Sequence, residues 1–224
     1  MVENFALWII RWRYLVVLFT IAAVAASAAG LPNLSMSNDY RMFFGEDNPQ
    51  LLEFERMQNT FNKNDNIMFV VTPKDGKVFT PDTLKAVQAI TKAAWQIPFS
   101  TRVDSITNYQ HTYAEEDDLI VDDLVTDPDA LDEKALAKIQ QLAVNEPMMV
   151  HRLISPDSKY TGINVTVQLP GVSLSEVPEA IAHAREIKAE MLASFPEIEI
   201  RLVGLAVMNN AFPEGSQADA QTLY

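Results

Sequence analysis

A chain of 224 residues, 48% of them hydrophobic, is long enough for one or two domains around a true core, and disorder does not fit that composition. Its 17 Lys and Arg stand against 30 Asp and Glu, a formal charge of −13, so it lacks the basic face with which a nucleic-acid binder displaces counterions. Cysteine is absent, which excludes disulfide frameworks, thiolate metal sites and cysteine nucleophiles.

The first element is apolar. From Tyr14 to Leu31 the chain runs 18 residues without a charge, and as a helix that is roughly 27 Å, close to the thickness of a bilayer's hydrocarbon core. Arg11 and Arg13 precede it, and the next basic residue is Arg41. That asymmetry places the N-terminus in the cytoplasm and the rest outside. Trp8, Trp12 and Tyr14 suit the headgroup level, and Phe5–Ile10 could lie in the interface. A cleaved signal peptide competes with the anchor, because Ala26-Ser27-Ala28 is a legal cleavage site. Both readings export the remainder of the chain.

Residues 1–31 hold two basic residues and one acidic one, which leaves 15 basic and 29 acidic, a net of −14, for 32–224. Asn48-Pro49 opens a helix expected over 49–61, with Leu51, Phe54, Met57 and Phe61 at helical spacing. Ile67–Val71 reads as a buried strand ending at Pro73, Asp75 and Gly76. Thr80-Pro81-Asp82 opens a second helix with Leu84, Val87, Ile90, Ala94 and Ile97 on its apolar stripe. A strand is expected around Arg102–Thr107. Ten carboxylates then fall between Glu115 and Glu133 with no basic residue among them, and 113–131 reads as a solvated, mobile connection. A short helix is expected at 132–144.

A strand near Met149–Ile154 is expected to lead through Pro156-Asp157 to a clearer one. There Ile163, Val165, Val167 and Leu169 alternate with Asn164, Thr166 and Gln168. A helix from about Ser175 to Ser194 carries Val177, Ala180, Ile181, Ala184, Ile187 and Met191 on one face, and Ile198, Ile200 and Leu202 mark a last strand. After it, Leu205–Phe212 turns helical and Pro213 is expected to break or kink that helix. Two β-α-β units with helices on one sheet predict an α+β sandwich of split β-α-β topology.

The catalytic search is nearly empty. No nucleophile elbow, phosphate loop or zinc-binding helix occurs, and His111, His151 and His183 lie far apart with no ligand spacing around them. Asp127-Pro128-Asp129 lacks the glycine and terminal glutamate of an EF-hand, so the acidic stretch predicts no metal site. Asn164-Val165-Thr166 is a glycosylation sequon inside a strand. No catalytic, cofactor or metal residue is assigned, and any substrate-binding residues stay unassigned. Arg102–Thr112 is a polar loop expected to bond to itself.

Several stretches in order carry a resemblance: YRMFFGEDNPQLLEFERMQNTF from Tyr40, VTPKDGKVFTPDTL from Val71, RVDSITNYQHT from Arg102, DDLIVDDLV from Asp117, HRLIS and TGINVTVQLP from His151 and Thr161, and VGLAVMNNAF from Val203. Together with the N-terminal helix they resemble the first membrane helix and first periplasmic porter domain of bacterial RND-superfamily exporters. The branch is that of the MMPL and hopanoid-exporter-like proteins with sterol-sensing-type membrane domains.

The resemblance implies a segment of a proton-driven exporter of hydrophobic or amphiphilic molecules in the bacterial inner membrane, not an enzyme and without a cofactor. It implies a retained first helix. The expected organisation is 1–13 cytoplasmic or interfacial, 14–31 transmembrane, 32–205 a ferredoxin-like porter domain with an acidic insertion, and 206–224 a connection toward a second membrane helix. The partners it implies are the lipid bilayer, the remaining membrane helices, a second porter domain and the substrate, with homo-oligomerisation left open and no nucleic acid. Proton-relay acids of that family lie in later helices, so no residue here inherits the role. The competing hypotheses are a stand-alone membrane-anchored periplasmic domain that binds lipid or a partner, and an exported hydrolase, for which no nucleophile–base pair can be named.

Overall fold

The computed structural model describes residues 8–28, 45, 47–61, 65–115, 118–170, 172–173 and 175–222. The chain divides into two units, Met1–Asn38 and Asp39–Tyr224.

In the first unit, helix α1 covers Arg13–Ala28 and none of its residues is buried. The Arg13 guanidinium sits 4.8 Å from the centre of the Tyr14 ring, and Trp8 and Trp12 are exposed. Thr20 and Ser27 return their hydroxyls to carbonyls one turn back, which lets polar side chains sit in an apolar helix. At 16 residues α1 is about 24 Å long. Among the described residues no helix is long and apolar enough to cross a membrane, and 29–31 of the expected span lie outside them.

The second unit is mixed α+β. Its elements are α2 (Pro49–Phe61), β1 (Asp65–Pro73), α3 (Pro81–Ala94), β2 (Ser100–Asp104), β3 (Gln110–Glu115), β4 (Asp118–Asp123), α4 (Glu133–Asn145), β5 (Thr161–Val167), α5 (Glu176–Ser194), β6 (Ile198–Val203) and α6 (Leu205–Thr222). Polar caps start the helices. Asn48 Oδ1 accepts from the Gln50 amide at 3.0 Å, Thr80 Oγ1 from Thr83 at 3.3 Å, and Asp132 Oδ1 from Ala135 at 2.7 Å. Ser175 makes no such bond. Instead the buried Glu176 carboxylate takes the amides of Val172 and Ser173, both at 2.8 Å.

Four strands form one antiparallel sheet in the order β2-β5-β1-β6. Strands β1 and β2, joined through α3, are separated by β5. Strands β5 and β6, joined through α5, are separated by β1. Each β-α-β unit is thus split by a strand of the other.

Strand β1 alternates strictly. Ile67, Phe69 and Val71 are buried, while Met68, Val70 and Thr72 are only half-covered. The buried set meets Ile163, Val165 and Val167 of β5, Ile198 and Ile200 of β6, and the stripes of α3 and α5 in one core. Helices cover this face, and among the described residues no helix of this unit is seen to bury the opposite one, where β1 stays partly exposed.

Three expectations are corrected. The acidic stretch is not a plain connection, for β3 and β4 pair as a hairpin in which Thr112 faces Val121 and Tyr113 faces Ile120. Strand-forming side chains interleave with its acids there, and that pattern sets the ladder. Secondly, Met149–Ile154 is not a strand: the Leu153 amide returns to Met149 O at 2.7 Å and His151 to Ile154 O at 2.9 Å, leaving isolated bridges alone. Buried Met149 anchors this turn, and His151 stands in the left-handed region at φ 65. Thirdly, α6 passes through Pro213 without the break that is one of the two outcomes expected there. Arg185 of α5 grips Glu214 with two bonds of 2.7 and 2.8 Å, and this clamp holds the helix across the hydrogen bond that proline cannot make.

Strand β2 ends at Asp104, short of the expected Thr107, because Ser105 starts a self-bonded turn. Helix α2 lies where its periodicity places it, yet Leu52, Phe54 and Met57 are exposed.

The Arg185–Glu214 clamp gives stability a defined acid limb. The guanidinium hydrogen bonds first of all, with Asn210 nearby, hold the Glu214 carboxyl below its ordinary value despite desolvation. A lowered folded value means that the contribution is present above the ordinary carboxylate pKa and is lost as pH falls through the folded one. Side chains 53% and 45% exposed are screened by water, so the clamp contributes at most about 1 kcal/mol. Glu214→Gln should lower the urea midpoint at pH 7, and the gap to the parent should narrow as pH falls below the ordinary carboxylate range. A gap unchanged with pH would refute the assignment.

Candidate functional site

The residues singled out in the sequence do not converge. His111 stacks on Tyr113 with ring centres 5.9 Å apart on the hairpin, and His183 on α5 lies 3.8 Å from Glu186. Among the described residues no group of three or more His, Cys, Asp or Glu could hold a metal ion.

The polar loop after β2 spends its groups on itself. Asn108 Oδ1 accepts from the Ser105 amide at 2.7 Å and Asn108 Nδ2 donates to Val103 O at 2.7 Å. Ser105 and Thr107 share a hydroxyl contact of 2.8 Å, and both are buried. Tyr109, just beyond, is partly buried and has Glu146, just past the end of α4, as its acidic neighbour. Burial first, and that carboxylate second, push its phenol above the ordinary value. These bonds lock the base of the hairpin and leave nothing aimed at a ligand.

Acidic side chains behave similarly. Lys85 on α3 pairs with Asp129 and lies 3.8 Å from Asp82, and the Asp129 hydrogen bond is the main reason its ammonium is held above the ordinary value. Part of the acidic segment is therefore fastened to α3 by charge. Gln88 adds a bond to Thr126 O at 3.1 Å.

A cleft of about 240 Å³ does form, on the open face of the sheet. Its floor is Met68 and Val70 of β1 with Gly162 of β5, and its walls come from 151–156 and Tyr160. Register builds the floor, since Val70 faces Gly162 directly and Met68 faces Asn164. Gly162 leaves space for that packing. A Cβ there would come within 2.2 Å of Met68 Cε, so the missing side chain is the room in which the methionine lies.

The walls are fixed by main-chain bonds. Leu153 O accepts from the Gly162 amide and from Thr161 Oγ1, each at 2.8 Å, and the Ser155 amide donates to Tyr160 O at 3.0 Å. Ser155 Oγ is the hub of the following turn, accepting from the amides of Lys159 and Tyr160 and donating to Asp157 Oδ1 at 2.7 Å. That hydroxyl, ahead of Lys159, holds the Asp157 carboxyl below its ordinary value. Two non-glycine residues of the segment, His151 and Ser158, sit at φ 65 and 57. Such positions cost about 1–3 kcal/mol each and persist only where the surroundings over-determine them.

Chemically the cleft offers apolar surface with hydrogen-bonding and cationic groups at its rim and no nucleophile–base pair. Sequence reasoning assigned none of its residues, because Met68 and Gly162 meet only through the sheet register. The available signal was His151-Arg152 inside the apolar run Met149–Ile154, two basic side chains placed together in an acidic chain.

No family model matches the chain, and no curated protein matches it.

Proposed function

We propose that the chain is the N-terminal part of a proton-driven RND-type exporter of hydrophobic or amphiphilic molecules, supplying its first membrane helix and first periplasmic porter domain. The observation that carries this reading is the pairing of two features in one chain. An apolar helix with no buried residue begins at Arg13, just after Arg11. A ferredoxin-like sheet comes after it, four antiparallel strands in two split β-α-β units with helices on one face. Exporters of the resembled branch combine those parts, with motifs in the order seen from Tyr40 to Phe212.

On this reading α1, extended to Leu31, stays in the bacterial inner membrane with Met1 in the cytoplasm, and 32–224 is periplasmic. The chain carries no catalytic role, and proton coupling belongs to later helices. Helix α6 lies against β1 and α5 and buries Ala206 and Asn210, so movement of the domain passes directly into the segment leading to the next membrane helix.

One preparation tests both place and activity. The intact gene product, with Lys159→Cys introduced and any cysteine elsewhere replaced by serine, is expressed in its host. The thiol should react with an impermeant reagent on spheroplasts, and inverted vesicles should move a fluorescent amphiphile only while a proton gradient stands. Labelling only after lysis, or movement indifferent to an uncoupler, would overturn the proposal.

A further inference from the structure

We propose that the cleft on the open sheet face binds a single-chain anionic amphiphile, its aliphatic tail on Met68 and Val70 and its head group at Arg152. The ligand class rests on the exporter reading for its biological purpose, while the binding itself rests on the cleft alone.

The floor sets the tail. Met68 and Val70 stand on the face of the sheet opposite the helix layer, and both remain partly exposed. Leu153, Ile154 and Pro156 line the cleft beside them, and the Tyr160 ring, 49% exposed, lines it as well. A ring so placed offers apolar contact and a hydroxyl to a ligand that is apolar at one end. A cleft of about 240 Å³ has room for part of one aliphatic chain.

The rim sets the charge. Among the described residues the Arg152 guanidinium has no ion-pair or hydrogen-bond partner, although the chain has nearly twice as many acids as bases. The nearest acid along the chain, Asp157, is committed to Ser155 and lies 3.6 Å from Lys159. Across the floor, Arg201 faces Val70 and is 3.8 Å from Glu199. Arg152 is therefore the rim cation free to receive an anion, with the His151 imidazole beside it as a second polar group. A planar guanidinium takes a carboxylate or a phosphate through two parallel hydrogen bonds. A cationic amphiphile would meet repulsion at the same place, and a neutral one would leave the guanidinium unmatched.

The site is preformed. Left-handed residues at 151 and 158 and the bonds of Leu153 O fold the wall over the sheet without any ligand, which limits the ordering cost of binding.

The test is photolabelling of the full chain in neutral lipid vesicles. The probes are twelve-carbon diazirine analogues of a carboxylate, an alkyl phosphate, an alcohol and a trimethylammonium. Either anion should label the 148–162 peptide or β1 about tenfold more than the ammonium, and the stronger anion identifies the head group. Arg152→Gln should reduce anion labelling about tenfold and Arg152→Lys should restore much of it. Arg152 is exposed, so neither change threatens folding, and circular dichroism checks this. Equal labelling by anion and ammonium, no effect of Arg152→Gln, or labels confined to α1 would each overturn the proposal. Failure of the exporter reading looks different: gradient-driven transport is absent while the labelling pattern stands.

Discussion

Replacing Gly204 with alanine is expected to lower stability by about 3–5 kcal/mol, one of the largest losses available from a single added methyl. Gly204 joins β6 to α6 at φ 119, a conformation that side chains rarely adopt. A Cβ there would lie 2.4 Å from Asn66 O and 3.1 Å from its carbonyl carbon. Those are backbone atoms of the central strand and cannot swing aside. The Asn66 side chain is committed as well. Its Oδ1 accepts from the Leu205 amide at 3.1 Å and its Nδ2 donates to Asn164 at 2.8 Å, so shifting it loosens α6 and β5 together.

Gly76 is the control. It also has positive φ, 71, but a Cβ there meets nothing within 4 Å. Gly76→Ala should cost only the left-handed penalty, about 1–2 kcal/mol. Urea unfolding of both variants measures the difference. Similar losses would show that conformation alone, and not the approach of β1, governs position 204.

Phe69→Ala is expected to cost about 3–5 kcal/mol, a large part of the 5–15 typical of a domain. Phe69 is fully buried in the central strand, between Ile163 of β5 and Leu202 of β6. Neighbours held in two ladders cannot close the cavity. Val70→Ala, one residue along on the open face, removes a half-exposed side chain and should cost well under half as much. Chemical denaturation of the pair reads out the two faces of the sheet. Equal losses would mean that both faces are covered.

Much of this architecture was legible because its signals are local. Thr80-Pro81 and Asp132 announce helix starts, and the alternation from Ile163 to Val167 announces a strand with one buried face. The hairpin was hidden because charge dominates its composition, while the residues that set its ladder, Thr112, Tyr113, Ile120 and Val121, are spread between the acids. The turn at 149–154 was misread since its apolar residues resemble a short strand. The cause of the turn is tertiary: Met149 is drawn into the core and Leu153 O is taken by β5. The cleft was beyond local reading altogether, for its floor exists only once β1 and β5 are in register.

The interleaved sheet has a consequence for biogenesis. Both hydrogen-bonding edges of β1 wait for strands made much later, since Asn66 meets a partner 98 residues on in β5 and another 139 residues on at the start of α6. At roughly 5–20 residues per second a ribosome needs about 5–20 s to make the first of those stretches. Throughout that interval Ile67, Phe69 and Val71 have neither sheet nor helix layer complete. The nascent chain thus presents a bare, apolar strand, a ready template for wrong pairing. In a protein built in this order the central strand gains its second neighbour only once β6 has been made, so anything that delays wrong pairing before then should raise the yield.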